Sequence, residues 1–168
     1  KEFNILRDQA SKFTLEEILV NKGFVAREDS LAIQNQSDIV VVSTWNTKID
    51  VGVIPGKIYE CFLLKKPTIT ITNGTEPYSE LGSMVKKAEL GVEVNAMLDS
   101  KIEEDKLKTF ILEAYQASMH HSKFEVQYNL EYINRFNYEN IGIHWPNITD
   151  NILISPKDKK GLNFNSLV

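Results

Sequence analysis

A short stretch combines a turn, a cation and a carboxylate within about one helical turn. Pro55-Gly56-Lys57 opens an apolar, helix-like segment after a β-like run at residues 38–43. A glycine-bearing turn that leads from a strand into a helix offers free backbone N–H groups to an anion. Glu60 follows one turn later, within reach of the hydroxyl groups of a sugar. The stretch therefore predicts a nucleotide-sized site.

Alternating strands and helices are predicted to position this site. Residues 38–43 form a continuous β-branched run, typical of a strand buried on both faces of a parallel sheet. Residues 57–64 follow as a helix that Lys65-Lys66-Pro67 ends, since proline cannot continue it. Residues 68–72 alternate strictly between threonine and isoleucine, which predicts a strand with one polar face.

The remaining elements complete the predicted order. A short strand is expected from residue 18 or 19 to Val25, with a helix over 27–36 after it. Residues 78–89 are predicted to be helical and 91–94 to form a strand near the sheet edge. Apolar residues at helical spacing predict two long helices, over about 103–119 and 124–138. The fold class is thus α/β, a doubly wound parallel sheet of Rossmann-like type finished by two long helices.

Ligands of such sheets bind beyond the carboxyl ends of the strands. The loops after Val25, Ser43 and the strand at 68–72 lie there, and the second carries Gly56, Lys57 and Glu60. Residues 1–145 are predicted to be one nucleotide-binding domain, and 146–168 a polar tail.

Composition excludes several classes of protein. The net charge of −4 argues against sequence-independent nucleic-acid binding, which needs a basic footprint. A single cysteine, Cys61, excludes an internal disulfide framework and fits a reducing, cytoplasmic compartment. His120, His121 and His144 lack metal-ligand spacing, so no metal is expected. The chain starts at Lys1 without an initiator methionine, and we expect it to be part of something longer.

Four segments in order resemble the nucleotide-binding domain of GT-B glycosyltransferases. They are Gly23-Phe24-Val25-x-Arg27-Glu28, then Ser37-Asp38-Ile39-Val40-Val41-Val42-Ser43, then Pro55-Gly56-Lys57-Ile58-Tyr59-Glu60-Cys61, then Lys66-Pro67. The resemblance covers about residues 18–95, and the following helices fit the end of that domain. It implies the later part of the C-terminal of two Rossmann-like domains, without its first βαβ portion.

The resemblance also implies a function. The chain would bind a nucleotide-diphosphate sugar as donor substrate, with no further cofactor, for transfer to a glycan or lipid-linked acceptor. Glu60 would bond the ribose hydroxyls, the amides around Gly56 and Lys57 would face the phosphates, and Phe24, Val25 and Arg27 would border the base. The missing N-terminal domain of the same protein would be a partner. The protein would lie at the inner face of a membrane where the acceptor is lipid-linked.

One position departs from the family pattern. The retaining pattern Glu-x7-Glu places its first glutamate at Gly52, and the nearest carboxylate, Asp50, lies two residues early. Asp50 is a candidate donor contact on that ground, and no catalytic residue is assigned. The alternative is a non-catalytic Rossmann-like module that mediates assembly, with an apolar patch at Trp145, Leu162 and Phe164. A flavodoxin-like or response-regulator domain fits less well, because acids at its first strand end are lacking.

Several other residues have two readings. Trp45 and Asn46 follow a predicted strand and could line the cleft, although Trp45 could equally cover the core. Glu76 and Glu80 follow the next strand and could reach an acceptor or the donor sugar. As acids at a helix start, they could instead stabilise its dipole. Cys61 is predicted to be a core residue rather than a nucleophile.

Overall fold

A computed structural model describes residues 2–49 and 53–137 of the chain. Contacts divide the chain into two units, residues 1–133 and 134–168. The described part of the second unit is residues 134–137, where the Asn137 N–H donates to the Asn134 carbonyl in a turn. The elements are α1 (Glu2–Ser11), a 3-10 turn (Glu16–Ile18), α2 (Arg27–Gln36), β1 (Val40–Asn46), α3 (Lys57–Leu64), β2 (Thr68–Gly74), α4 (Glu80–Ala88), β3 (Gly91–Asn95), α5 (Ser100–Met119) and α6 (Leu130–Asn134).

The three strands form a parallel sheet in the order β1-β2-β3. Val40 pairs with Thr68, and Thr68 with Gly91, so the three strands begin at one level. Helices α3 and α4 connect successive strands, as parallel pairing requires. The predicted α/β class and the parallel sheet are confirmed, and β3 lies at an edge as expected. Within the described residues the strand order does not reverse.

Glycine permits a close approach of backbone at one sheet position. A Cβ on Gly91 would overlap the backbone oxygen of Thr68, its neighbour across the β2–β3 pair. Gly91 also has a φ of +158°, a backbone conformation that residues other than glycine rarely adopt. Gly91 is therefore required for β3 to pair along β2.

Helix α3 forms where its apolar spacing predicts it. Ile58, Cys61 and Phe62 are buried on one side, and Lys65 in the left-handed conformation ends the helix. The Lys66 N–H donates to the Cys61 carbonyl at 3.0 Å, which satisfies a carbonyl of the last turn. Burial raises the pKa of the Cys61 thiol, which keeps it protonated as a core residue.

Only one face of β1 is buried, whereas the β-branched run predicted burial on both. Val40 and Val42 lie in the core, while Val41 between them is 57% exposed. The strand also extends to Asn46, beyond the predicted end at Ser43. Because residues alternate between faces along a strand, β1 shows one covered face and one open face.

The polar face of β2 is covered along its length, and the apolar face only in part. Thr68, Thr70 and Thr72 are buried, and so is Ile69, whereas Ile71 is 40% exposed. Each threonine hydroxyl donates a hydrogen bond, to the Lys66 carbonyl at 2.7 Å, the Val92 carbonyl at 3.4 Å and Glu93 Oε1 at 3.0 Å respectively. Thr72 Oγ1 also lies 2.8 Å from Ser79 Oγ. Their burial is therefore compensated.

The strand predicted before Val25 is wrong. Gly23 has a left-handed φ of +62°, and its N–H donates to Asn21 Oδ1 at 2.9 Å. This local turn replaces strand pairing. Residues 19–26 are irregular, and α2 begins at Arg27.

Of the two predicted long helices, α5 is confirmed over Ser100–Met119 and the second is wrong. Residues 122–129 are not helical, and α6 covers only Leu130–Asn134. The Phe124 ring packs edge-to-face on Phe110 with centroids 5.2 Å apart, and the Asn129 N–H donates to the Ala88 carbonyl at 2.9 Å. These tertiary contacts hold the chain extended and outweigh its helical spacing.

Candidate functional site

Lys57 and Glu60 are joined at the start of α3. Lys57 Nζ lies 2.9 Å from Glu60 Oε2, an ion pair between residues three apart on the helix. The carboxylate is partly exposed. The predicted cation and carboxylate therefore form one local unit.

Helix α2 supplies two further members of this cluster. Gln34 Nε2 donates to the same Glu60 Oε2 at 2.8 Å, and Lys57 Nζ donates to Ser30 Oγ at 3.2 Å. Gln34 Nε2 also lies 3.2 Å from the Ser30 carbonyl. We call Ser30, Gln34, Lys57 and Glu60 the α2–α3 cluster. Sequence analysis missed Ser30 and Gln34; their spacing of four residues, on one face of α2, is the signal that could have identified them.

The cluster keeps Glu60 ionised. Burial raises the pKa of its carboxyl, but hydrogen bonds from Gln34 and Lys57 together with the charges of Lys57 and Arg27 outweigh burial. The pKa is lowered as a result. Glu60 is therefore an acceptor of hydrogen bonds at neutral pH.

The two oxygens of Glu60 differ in their contacts. Oε2 accepts from both Gln34 and Lys57, while no hydrogen bond to Oε1 occurs among the described residues. Glu103, a buried carboxylate on α5, has both oxygens occupied, by the Asn95 N–H at 2.8 Å and by Lys106 Nζ at 2.7 Å. Both oxygens of Glu103 thus accept hydrogen bonds from the fold itself, whereas Glu60 keeps Oε1 to accept a further bond.

Gln34 has an unusual environment. It is only 7% exposed, and its Oε1 is buried without a partner among the described residues. A buried, unpaired acceptor costs stability. Gln34 thus donates to Glu60 and Ser30 while its own oxygen stays unsatisfied.

The start of α3 has no side-chain cap. Gly56 is the N-cap residue, and a Cβ built on it meets nothing within 4 Å. The amide N–H groups of Gly56 and Lys57 have no acceptor within the described part of the chain. Space and free donors therefore coincide at the carboxyl edge of the sheet, where α3 begins.

Other predicted site residues are placed differently. Arg27 begins α2 and lies close enough for its charge to lower the Glu60 pKa. Phe24 is fully exposed, and in the described ranges no hydrogen bond or ring contact joins Phe24 or Val25 to the cluster. Asp50 and Gly52 lie outside the described residues, as do Trp145, Leu162 and Phe164.

A second polar group lies at the carboxyl edge of the sheet. A cleft is lined by residues 44–46, 53–54 and 79–81, at the end of β1 and the start of α4. Asn46 Nδ2 donates to the Tyr78 carbonyl, and Ser79 Oγ accepts from the Gly82 N–H at 3.0 Å. The buried Asn46 Oδ1 and Glu76 Oε1 have no partner among the described residues. Trp45, Asn46 and Glu80 thus line this cleft, and a role for them in ligand binding stays a prediction.

The described residues contain no group of three or more histidine, cysteine or acidic side chains that could hold a metal ion. None of the helices in residues 2–49 and 53–137 is both long and apolar enough to cross a membrane.

Comparisons with known proteins identify no relative. No family model, curated protein or solved structure matches the chain. What the fold and the site define is therefore an α/β domain with a parallel sheet and a polar cluster at its carboxyl edge.

Proposed function

We propose that this chain is the donor-binding domain of a glycosyltransferase, which binds a nucleotide-diphosphate sugar and acts with a further domain on a glycan or lipid-linked acceptor. The observation that carries the proposal is Glu60. It is an ionised carboxylate with one oxygen held by the fold and the other left to accept. A carboxylate with a free oxygen suits paired hydroxyls, which are donors.

The neighbourhood of Glu60 supports a phosphate-bearing ligand. The Lys57 ammonium and the free N–H groups of Gly56 and Lys57 are donors at the positive end of the α3 dipole. They would stabilise the negative charge that develops on a departing diphosphate. The ribose would thus lie against Glu60 and the diphosphate at the first turn of α3.

The GT-B type of the sheet belongs to this proposal. A doubly wound sheet continues on the other side of β1, which ends the described sheet. The edge of β1 that faces away from β2 has no strand partner among the described residues, and such a continuation would pair there.

Calorimetric titration with UDP, GDP and their sugars tests the proposal. We expect saturable binding, weakened about tenfold in Glu60→Gln, because a charge-assisted hydrogen bond to ribose becomes a neutral one. Glu104→Gln is the matched control, since Glu104 also pairs with a lysine, Lys108, at 2.6 Å but on the exposed side of α5. The 2′-deoxy nucleotide should bind wild type more weakly than UDP does. It should bind Glu60→Gln no more weakly than UDP binds that variant.

The opposite results would refute it. Wild-type protein that binds no nucleoside diphosphate overturns the function. Binding that Glu60→Gln and Glu104→Gln leave equally unchanged overturns the role of Glu60.

A second candidate function is a non-catalytic module for assembly. The observation in its favour is a group of exposed apolar side chains, Val41, Trp45 and Ile71, on one face of β1 and β2, where Ile69 is buried. Such apolar groups mark interaction surfaces when they are contiguous. Sedimentation velocity distinguishes this candidate: self-association that Val41→Thr and Ile71→Thr abolish, without any response to nucleotide, would favour it over the glycosyltransferase.

A further inference from the structure

A pocket of about 180 Å³ lies at the amino edge of the sheet, opposite the edge at which α3 begins. It is lined by residues 35–38 at the end of α2 and by Lys66, Lys123 and Phe124. Residue 38 precedes β1, and Lys66 precedes β2. Because the strands are parallel, this pocket and the α2–α3 cluster belong to different parts of the molecule.

Lys66 contributes a buried ammonium to this pocket. The residue is 4% exposed, and its Nζ donates to the Ser37 carbonyl at 2.9 Å. An ammonium carries three donors, and that carbonyl is its one hydrogen-bond acceptor within the described residues. Buried cations are normally paired. Lys66 therefore retains donors that a ligand could use.

Lys123 brings a second cation to the same pocket. Its neighbour Phe124 is anchored on Phe110 of α5, which holds this part of the chain at the pocket. Burial lowers the pKa of Lys66, the charge of Lys123 lowers it further, and the charge of Asp38 raises it. The positive charges of Lys66 and Lys123 therefore interact unfavourably.

Carboxylates do not neutralise these lysines within ion-pair distance. The ion pairs of residues 2–49 and 53–137 are Lys57–Glu60, Lys106–Glu103 and Lys108–Glu104, and none includes Lys66 or Lys123. Asp38 lines the pocket but makes no such pair. Two lysines against one aspartate leave a local excess of one positive charge, although the chain as a whole carries −4.

We propose that this pocket binds a small oxyanion, a phosphate or carboxylate group held between Lys66 and Lys123. The anion would accept the unused donors of Lys66 and offset the repulsion between the two cations. Asn35 and Gln36 also line the pocket, and their side-chain amides would add neutral donors. Pockets for drug-sized ligands begin at about 300 Å³, so this one suits a compact group.

Residue-resolved NMR titration of the whole chain tests the proposal. Phosphate, and separately malonate, is added at constant ionic strength with chloride as the balancing anion. We expect saturable shifts of the Ser37, Asp38 and Lys66 amides with at least one of the two anions. Shifts with phosphate alone identify a phosphate group, and shifts with malonate a carboxylate. Because the readout is residue-resolved, binding at α3 is seen separately, and this proposal does not depend on the proposed function.

The variants are Lys123→Gln and Lys65→Gln. Lys123 is exposed, so its replacement should leave the fold intact and weaken binding about tenfold through one lost charge-assisted contact. Lys65→Gln removes the same charge next to Lys66, but the Lys65 ammonium lies over the Tyr128 ring, 5.1 Å from its centroid. Equal weakening by both variants, or no saturable shift of the pocket amides with either anion, would overturn the site.

Discussion

Gln34→Met separates the electrostatic role of Gln34 from its role in stability. The substitution keeps the length of the side chain but removes the hydrogen bonds from Nε2 to the Ser30 carbonyl and to Glu60 Oε2. Such a bond to a charged group contributes about 1.5–3 kcal/mol, less here because Glu60 is partly exposed. The same change removes the unpaired buried Oε1, whose cost is about 1–3 kcal/mol. We therefore expect the free energy of unfolding to change by no more than about 1 kcal/mol.

The pKa of Glu60 should nevertheless rise in Gln34→Met. Burial, which raises it, would remain, while one of the hydrogen bonds that lower it would be lost. Carbon-detected NMR of the glutamate carboxyl carbons measures this pKa, and urea denaturation measures stability. Gln36→Met on the exposed side of α2 is the control and should alter neither. A large loss of stability in Gln34→Met, or an unchanged Glu60 pKa, would refute the reasoning.

Three further predictions concern stability, measured by urea denaturation. Glu60 has its folded pKa lowered from 4.5, so its contribution is complete above that pH and is lost as pH falls through the lowered value. When the pH is lowered from about 6 to about 3, the free energy of unfolding should therefore fall less in Glu60→Gln than in wild type. Gly91→Ala should cost more than about 2 kcal/mol, since its Cβ meets the Thr68 backbone, whereas Gly56→Ala, with open space around it, should cost under about 1 kcal/mol. Ile58→Ala, at a fully buried position of α3, should cost about 2–5 kcal/mol.

The elements around the candidate site could be predicted from local sequence. The β-branched run before Ser43, the turn at Pro55 and the lysines before Pro67 determine a strand, a helix start and a helix end within a few residues each. The same locality explains why Lys57 and Glu60 could be paired, since residues three apart share a helix face.

Tertiary contacts could not be predicted in this way. Gln34 lies 26 residues from Glu60 in sequence, and only the packing of α2 beside α3 brings their side chains together. The aromatic residues at 124–128 have helical spacing, yet the ring of Phe124 on Phe110 and the backbone bond of Asn129 hold an extended chain. Neither contact has a local signature, so periodicity alone gave the wrong element.

The alternating strand β2 shows what strict alternation in a sequence leaves undecided. Strict alternation distinguishes two faces but does not say which one is covered. Thr72 lies on the covered face, where its hydroxyl donates to Glu93 Oε1 and is hydrogen-bonded to Ser79 Oγ, which also accepts from the Gly82 N–H. Burial of the threonine face thus connects the sheet to the N-cap of α4, at the cleft beside Asn46. An apolar residue at position 72 would leave this N-cap without its partner in the sheet, so the polar face is buried where it fixes the start of a helix at the ligand edge.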